Sequence, residues 1–558
     1  MGSNDSGAAA TAGDRLSRLS DAVLGHVLSF LPADEAARAA VLSRQWRHVF
    51  AHVHTVALDE PDPHIPDYDG DWSPGYGGPV DRNAAAPSPP FTNAVSSALF
   101  RRLRGGGGAA SVPLRALRVA FHKFSGLNAG LVDMWLWYAV QQAGKDGELH
   151  LDLQLRRSAA PCRRIYSLRR AGGAEEPPEA AMDDEDPASP RFELAVAADV
   201  DVALPATSPL SSDGDAADDE PPPPLYKNEY VVPWSLFTCA ALRSLRIGPC
   251  RLDPPAVISL PSLDTLHLTG ITGRRSAVQR LASACPRLAD LTLESCNSNL
   301  TKLTVLDKRL RRLALRCCHG LAAVAVASSE LRAFEYRGAT PEPWFLTLHG
   351  GARRISSCAI DICGAEAAEP PELARLGAFL RLFPGVERLS LTSARLGGGA
   401  PAFPTFPKLR HLELTGMVPD DDTGAVATVT RILRRTPRLE ALTLFFLPEV
   451  EELQEGDYQD IDEEELLDGH TLKYDRHAPL DVPEIDIPCL REGTKEINFV
   501  HYEGGLAQRK LAKFLLRNAP VVGEVCGEFA VGPLWIQTRL MEEIKEWVMN
   551  KSANMMFF

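Results

Sequence analysis

From residue 242 to residue 444 the chain repeats the hexamer Leu-x-x-Leu-x-Leu, with apolar substitutions, eight times in near-regular form. The copies are Leu242-Arg-Ser-Leu-Arg-Ile247, Leu263-Asp-Thr-Leu-His-Leu268, Leu288-Ala-Asp-Leu-Thr-Leu293, Leu310-Arg-Arg-Leu-Ala-Leu315, Leu331-Arg-Ala-Phe-Glu-Tyr336, Val386-Glu-Arg-Leu-Ser-Leu391, Leu409-Arg-His-Leu-Glu-Leu414 and Leu439-Glu-Ala-Leu-Thr-Leu444. The first five start 21, 25, 22 and 21 residues apart. One such hexamer alone is an ordinary buried strand or helix. Eight at this period are an array in which each unit buries its leucines only against the next. The alternating last positions face one way, as strand residues do. The chain is therefore expected to stack strands into a solenoid, with the x positions exposed along a broad concave surface suited to a protein partner.

The spaces between the hexamers refine this picture. Leu300-Thr-Lys-Leu-Thr-Val305 and Leu321-Ala-Ala-Val-Ala-Val326 lie almost half a period out and predict strands on the opposite wall. Residues 276–285 and 423–435 read as helical returns. Leu114-Arg-Ala-Leu-Arg-Val119 and Leu149-His-Leu-Asp-Leu153 are irregular early members, so the stack is expected to begin loosely over 91–170 and to run regularly over 225–448. Residues 60–90 are Pro-, Gly- and Asp-rich and read as a linker; residues 171–224 form an acidic, Pro-rich insert in which helix and strand are both disfavoured. A second acidic insert spans 449–487, with eleven acidic and no basic residues between Glu449 and Asp468. Both inserts read as solvated loops, and the second could gate the concave face or attract a basic target.

A chain of 558 residues that is 45% hydrophobic can bury a large core, in more than one domain. Its net charge of −14 argues against a partner held by phosphate contacts, so no nucleic acid is expected. Eleven scattered cysteines with no secretory signal before them suggest reduced thiols in the cytosol or nucleus. No apolar run approaches the roughly 20 residues that span a bilayer. The start Met1-Gly2-Ser3-Asn4-Asp5-Ser6 fits a loose myristoylation pattern but has no basic patch beside it, and one acyl chain anchors only marginally. No membrane partner is expected.

Near the N-terminus, Leu24, Val27, Leu28 and Leu31 recur at helical spacing after Ser20-Asp21, which suit a helix start. Pro32 stops that helix, Asp34-Glu35 open a second carrying Ala37, Ala40 and Val41, and a third begins near Ser43 with Trp46, Val49 and Phe50. Three short helices with so much apolar surface cannot bury all of it alone. An interface is implied.

The segment from Asp14 to about Val53 resembles the F-box, most closely as it occurs in plant F-box/leucine-rich-repeat proteins. Asp14-Arg-Leu-Ser, Leu19-Ser-Asp, Val27-Leu-Ser-Phe-Leu-Pro32 and Val41-Leu-Ser-Arg-Gln-Trp46-Arg carry the likeness. Ser20 stands where the family usually has Pro, and the second helix is alanine-rich. The segment from Cys489-Leu490, with a strand at 496–499, a helix at 506–518, a strand at 524–529 and a last helix at 540–549, looks like the C-terminal FBD segment that accompanies such proteins. The resemblance implies an α+β chain: a three-helix F-box over 10–54, a leucine-rich-repeat α/β solenoid, and a C-terminal FBD-like cap over 488–558. It also implies a non-catalytic adaptor. The F-box would hold a Skp-type adaptor and through it cullin and RING subunits, while the repeats hold a target protein for ubiquitination. Leu16, Leu19, Val23, Val27, Leu28, Leu31, Val41 and Trp46 are the candidate adaptor contacts, some of which must pack internally. The competing reading is a stand-alone leucine-rich-repeat scaffold or ligand-binding protein that recruits no ligase.

Catalytic chemistry finds no foothold. Cys317-Cys318-His319, with Cys296 nearby in the stack, lacks paired CxxC spacing and a second ligand pair, so small buried thiols are the better reading than zinc. Gly105–Gly108 is followed by no Gly-Lys-Ser/Thr and reads as a flexible turn. The acidic runs lack the spaced oxygens and Gly turn of a calcium loop. No cofactor is implied.

Overall fold

The computed structural model describes residues 18–42, 46–61, 89–104, 112–144, 148–155, 166–169, 229–296, 300–306, 308–327, 329–352, 354–449 and 471–557. The acidic, Pro-rich insert 171–224, Gly105–Gly108, residues 62–88 of the linker and residues 450–470 of the second insert lie outside the described residues.

Helix α1 (Asp21–Leu28) starts at Ser20, whose side chain accepts a hydrogen bond from the Val23 N–H and so satisfies one of the donors that a helix start leaves unpaired. Pro32 leads into α2 (Ala33–Arg38), which tightens into a 3-10 turn over Ala39–Val41. Helix α3 (Trp46–Val49) runs into a second such turn, Phe50–His52. Leu24, Leu28, Ala33, Ala36, Trp46, Val49 and Phe50 are buried between these elements. Gly25 makes the contact possible, since a Cβ there would lie 2.6 Å from the His52 carbonyl oxygen.

No linker separates these helices from the repeats. Strand β1 (Thr55–Asp59) follows at once and is the edge strand of a fifteen-stranded sheet. Val53-His-Thr-Val56-Ala-Leu58 is the repeat hexamer with valine in place of the first two leucines, so the leucine pattern alone does not mark this strand. The sheet continues through β2 (Ala116–Phe121), β3 (Leu149–Leu155), β4 (Leu242–Gly248), β6 (Thr265–Thr269), β8 (Asp290–Glu294), β10 (Arg312–Arg316), β12 (Ala333–Gly338), β14 (Ser357–Ile362), β15 (Arg388–Arg395), β16 (His411–Met417), β17 (Ala441–Phe446), β18 (Glu496–Tyr502), β19 (Glu524–Phe529) and β20 (Asn554–Phe557). Each neighbouring pair is parallel.

In-register pairing puts the same hexamer position of every strand on the same face, as the two-residue period of a strand requires. Leu117, Leu151, Leu245, Leu266, Leu291, Leu313, Phe334, Cys358, Leu389, Leu412, Leu442, Ile497 and Val525 form one buried row. The opening apolar residue of each hexamer is buried at or just before the start of its strand. Strand β14 had no counterpart in the sequence reading, because its hexamer is Ile355-Ser-Ser-Cys358-Ala-Ile360.

Parallel neighbours need a crossover, and the crossovers vary along the stack. β5 (Cys250–Leu252) and β7 (Ile271–Gly273) pair with each other, while β9 (Lys302–Val305), β11 (Ala323–Ala327) and β13 (Leu346–His349) form a second parallel sheet. The two out-of-phase segments expected on the opposite wall are β9 and β11. Helices return the chain at Ala277–Ala284, Pro370–Leu380 and Ala425–Leu433. Two further helices, α4 (Pro89–Arg104) and α5 (Ala129–Gln142), flank β2 and were not foreseen. The C-terminal segment adds three strands to the same sheet, with helices Leu506–Arg517 and Leu534–Trp547 between them; the last helix starts six residues before the expected position.

Two buried arginines tie the stack near its ends. Arg102 of α4 donates from Nε to the Val53 carbonyl at 2.8 Å, from Nη1 to the Tyr138 hydroxyl at 3.1 Å, and from Nη2 to the Val112 carbonyl. It links the last residue of the helical module to α4 and α5. Arg509 grips the Glu543 carboxylate with two bonds of 3.0 and 2.7 Å, donates to the Asp475 carbonyl and lies over the Tyr474 ring. A buried guanidinium is tolerable only when its donors are taken up in this way.

Candidate interaction surfaces

The N-terminal helices bury some of their apolar side chains and expose others. Leu24 and Leu28 of α1 face the core, whereas Val23 and Val27 are close to half exposed. The turn after α1 leaves Phe30 76% exposed and Leu31 exposed, and the 3-10 turn after α2 leaves Val41 88% and Leu42 71% exposed. Large side chains this exposed on consecutive elements of one small module are the informative kind of surface.

Of the eight candidate contacts, Val23, Val27, Leu31 and Val41 are therefore on the surface, Leu28 and Trp46 are in the core, Leu19 packs partly buried against it, and Leu16 lies outside the described residues. Phe30 and Leu42 were missed. Each directly precedes or follows a chosen residue, and their direction depends on where the short helices stop. His26 stands beside this face, its ring 5.1 Å from that of Phe30. Its Nδ1 lies 2.8 Å from Nε2 of His54, which sits just before β1. Burial, with Arg115, His26 and Arg102 nearby, holds His54 below the ordinary histidine range.

The second surface is the outward face of the large sheet. Its central row reads Arg118, Asp152, Arg246, His267, Thr292, Ala314, Glu335, Ala359, Ser390, Glu413, Thr443, Asn498 and Cys526 across the paired strands. From β3 to β14 charged side chains pair across strands: Arg246 with Asp152 at 3.8 Å, Arg316 with Glu335 at 2.5 Å and Glu294 at 3.9 Å, Arg312 with Asp290 and Glu335, and Arg337 with Asp361 at 3.3 Å. His267 Nε2 lies 3.3 Å from the Glu294 carboxylate and holds it below the usual range. Burial pushes Glu335 up, but hydrogen bonds and charge from Arg316 and Arg312 bring it below that range. From β15 to β18 the face is mostly uncharged: Ser390 donates to Glu413, Asn498 to Thr443, and Phe445 meets the His501 ring at 4.9 Å.

The residues of Cys317-Cys318-His319 point to different neighbours: Cys317 is buried in the core, Cys318 Sγ lies 3.5 Å from the Leu293 carbonyl, and His319 Nε2 lies 3.9 Å from the Cys363 sulfur. Among the described residues, no group of three or more His, Cys, Asp or Glu side chains could hold a metal ion, and no helix is long and apolar enough to cross a membrane.

Two family models match segments of the chain. The F-box domain family model matches residues 16–55, and the At1g61320/AtMIF1 LRR domain model matches residues 222–459. The FBD-associated F-box protein At4g10400 of Arabidopsis thaliana is 39% identical over 99 residues, 16% of this chain and 24% of that protein. The putative F-box/FBD/LRR-repeat protein At5g62970 of the same plant is 31% identical over 172 residues, 30% of this chain and 36% of that protein. The F-box/FBD/LRR-repeat protein At4g26340 is 26% identical over 303 residues, 52% of this chain and 62% of that protein. The chain thus spans less than two thirds of the length of each of these relatives.

Proposed function

For a chain of the F-box/leucine-rich-repeat family, with an FBD-like C-terminal segment, we propose the role of substrate-recognition adaptor in a Skp-cullin-F-box ubiquitin ligase. The observation that carries this reading is the exposure of the apolar side chains Val23, Val27, Phe30, Leu31, Val41 and Leu42 in one small helical module. Exposed apolar area is unfavourable by about 25 cal/mol per Å² relative to its burial, so a partner that covers it gains affinity directly. A Skp-type adaptor is that partner. It supplies the cullin and RING subunits, and the chain itself does no chemistry.

In this reading the fifteen-stranded sheet and its returns form a leucine-rich-repeat solenoid whose outward strand face holds the target protein. The direct passage from Val53 into β1, fixed by Arg102, supports a rigid lever from adaptor to target. A rigid connection keeps the target's lysines at a constant reach from the ligase.

The test is binding of the purified chain to a purified Skp-type adaptor, with Val27→Asp and Val41→Asp as variants. Both residues are exposed, so the variants fold, as their thermal unfolding will report. Binding by the intact chain, and its loss by at least tenfold in the variants, is expected. A folded intact chain that does not bind would leave the stand-alone scaffold as the better account.

A further inference from the structure

Adjacent units β8 and β10 end in the same way. Glu294 and Arg316 are register partners, and the residue after each, Ser295 and Cys317, takes left-handed backbone with φ of 52° and 51°. The Ser295 N–H donates to the Arg316 carbonyl at 2.8 Å, and the Cys317 N–H makes the equivalent bond to Arg337 at 2.6 Å. Following the same path, the next residues, Cys296 and Cys318, reach equivalent positions one above the other. Each lies over a carbonyl of the unit beneath, Cys296 Sγ at 3.7 Å from Leu268 and Cys318 Sγ at 3.5 Å from Leu293. Leu268 and Leu293 are themselves register partners, so the two side chains occupy the same place in successive units. Cys296 is buried and Cys318 is partly exposed.

We propose that Cys296 and Cys318 are a redox-sensitive modification site that closes into a reversible disulfide between neighbouring repeats. Adjacent strands are spaced about 4.8 Å apart, inside the roughly 4.4–6.8 Å Cα window that a disulfide spans. The oxidant is a peroxide small enough to reach the partly exposed sulfur. The Cys318 sulfur gives up its proton as it attacks one oxygen of hydrogen peroxide, the O–O bond breaks, and the departing hydroxide takes up that proton to leave as water, giving a sulfenic acid. Cys296 then attacks that sulfur, the S–S bond forms, the S–O bond breaks, and the second oxygen leaves as water with the Cys296 proton. Two thiols lose two electrons and two protons, and one peroxide becomes two waters.

Stacked side chains must draw their Cβ atoms in from about the strand spacing of 4.8 Å to about 3.8 Å. A bridge made under that constraint is readily reduced by thiol exchange, which suits a switch rather than a permanent staple. Glu294 and Arg316, two residues before the sulfurs, belong to the charged face, so closure acts on the surface that faces solvent.

The experiment treats the reduced full-length chain with a small excess of hydrogen peroxide, then blocks remaining thiols in denaturant and maps peptides by mass. Expected are two fewer titratable thiols than the eleven of the chain, a Cys296–Cys318 crosslink, and recovery of both thiols with dithiothreitol. Cys318→Ser removes the crosslink and Cys317→Ser retains it, which separates the two neighbours. The wild-type peptide map stands even if a variant folds poorly. The proposal is overturned if the folded chain keeps all its thiols, or if Cys318 is oxidised without capturing Cys296.

Discussion

The N-terminal helices and the repeat strands are both rich in leucine and valine, yet they place them in opposite ways. In the sheet, every apolar position of the hexamer is buried against the unit above and below, because a register of parallel strands leaves no inward position unpaired. In the helical module, short helices and tight turns bury Leu24, Leu28 and Trp46 but leave Val41 and Leu42 in water. The same residue type is therefore structural in one region and available for binding in the other. What distinguishes them is whether the fold itself supplies a neighbour.

The largest effect that could break this contrast is in the sheet. Leu313→Ala, in the centre of the buried row, is expected to cost about 2–5 kcal/mol, whereas Val41→Ala should leave stability within about 0.5 kcal/mol. Chemical unfolding of the two variants reads this directly; equal losses would contradict the division. Next comes the junction. Arg102→Met leaves the Val53 and Val112 carbonyls without their donor, and about 1–3 kcal/mol is expected for each buried polar group so stranded, visible as a lowered unfolding midpoint.

A smaller effect separates the sheet's interior from its outward face. Arg312→Ala removes one half-exposed partner of Asp290 and Glu335, and a change within about 1 kcal/mol is expected. A loss comparable to that of Leu313→Ala would mean that the charged ladder, not the leucine row, holds the stack. The smallest effect is a slope. His54 has its folded pKa depressed below the unfolded value of about 6.5, so the unfolded chain binds the proton first as pH falls. Stability is then fully present above the unfolded value and declines below it. His54→Asn should flatten that decline in unfolding measured between pH 7.5 and 5.5.

Much of the sheet could be read from the chain. The hexamer locates eight of the nine strands of the large sheet from β4 to β17, and the half-period offset of 300–305 and 321–326 locates two strands of the second sheet. The omission, β14, and the overlooked β1 follow one cause: at Ile355-x-x-Cys358-x-Ile360 and Val53-x-x-Val56-x-Leu58 the stack needs an apolar side chain of the right volume, and leucine is only the commonest. Arg102 and Arg509 were not legible as core residues. Burial of a charge depends on acceptors that arrive from elsewhere, Val53 and Tyr138 for one and Glu543 for the other. The exposed apolar side chains of the helical module were legible as a stripe but not in direction. In helices as short as α1 and α2, a turn's difference in the stopping point decides whether Leu28 or Phe30 faces water.

The most direct measurement of the central claim is hydrogen–deuterium exchange of the full chain with and without a saturating Skp-type adaptor. The account predicts added protection over α1 and the turn at Ala39–Val41, where apolar side chains lack a neighbour, and unchanged exchange in the strands from β4 to β17. Protection centred on the strand face, with none at α1, would contradict it.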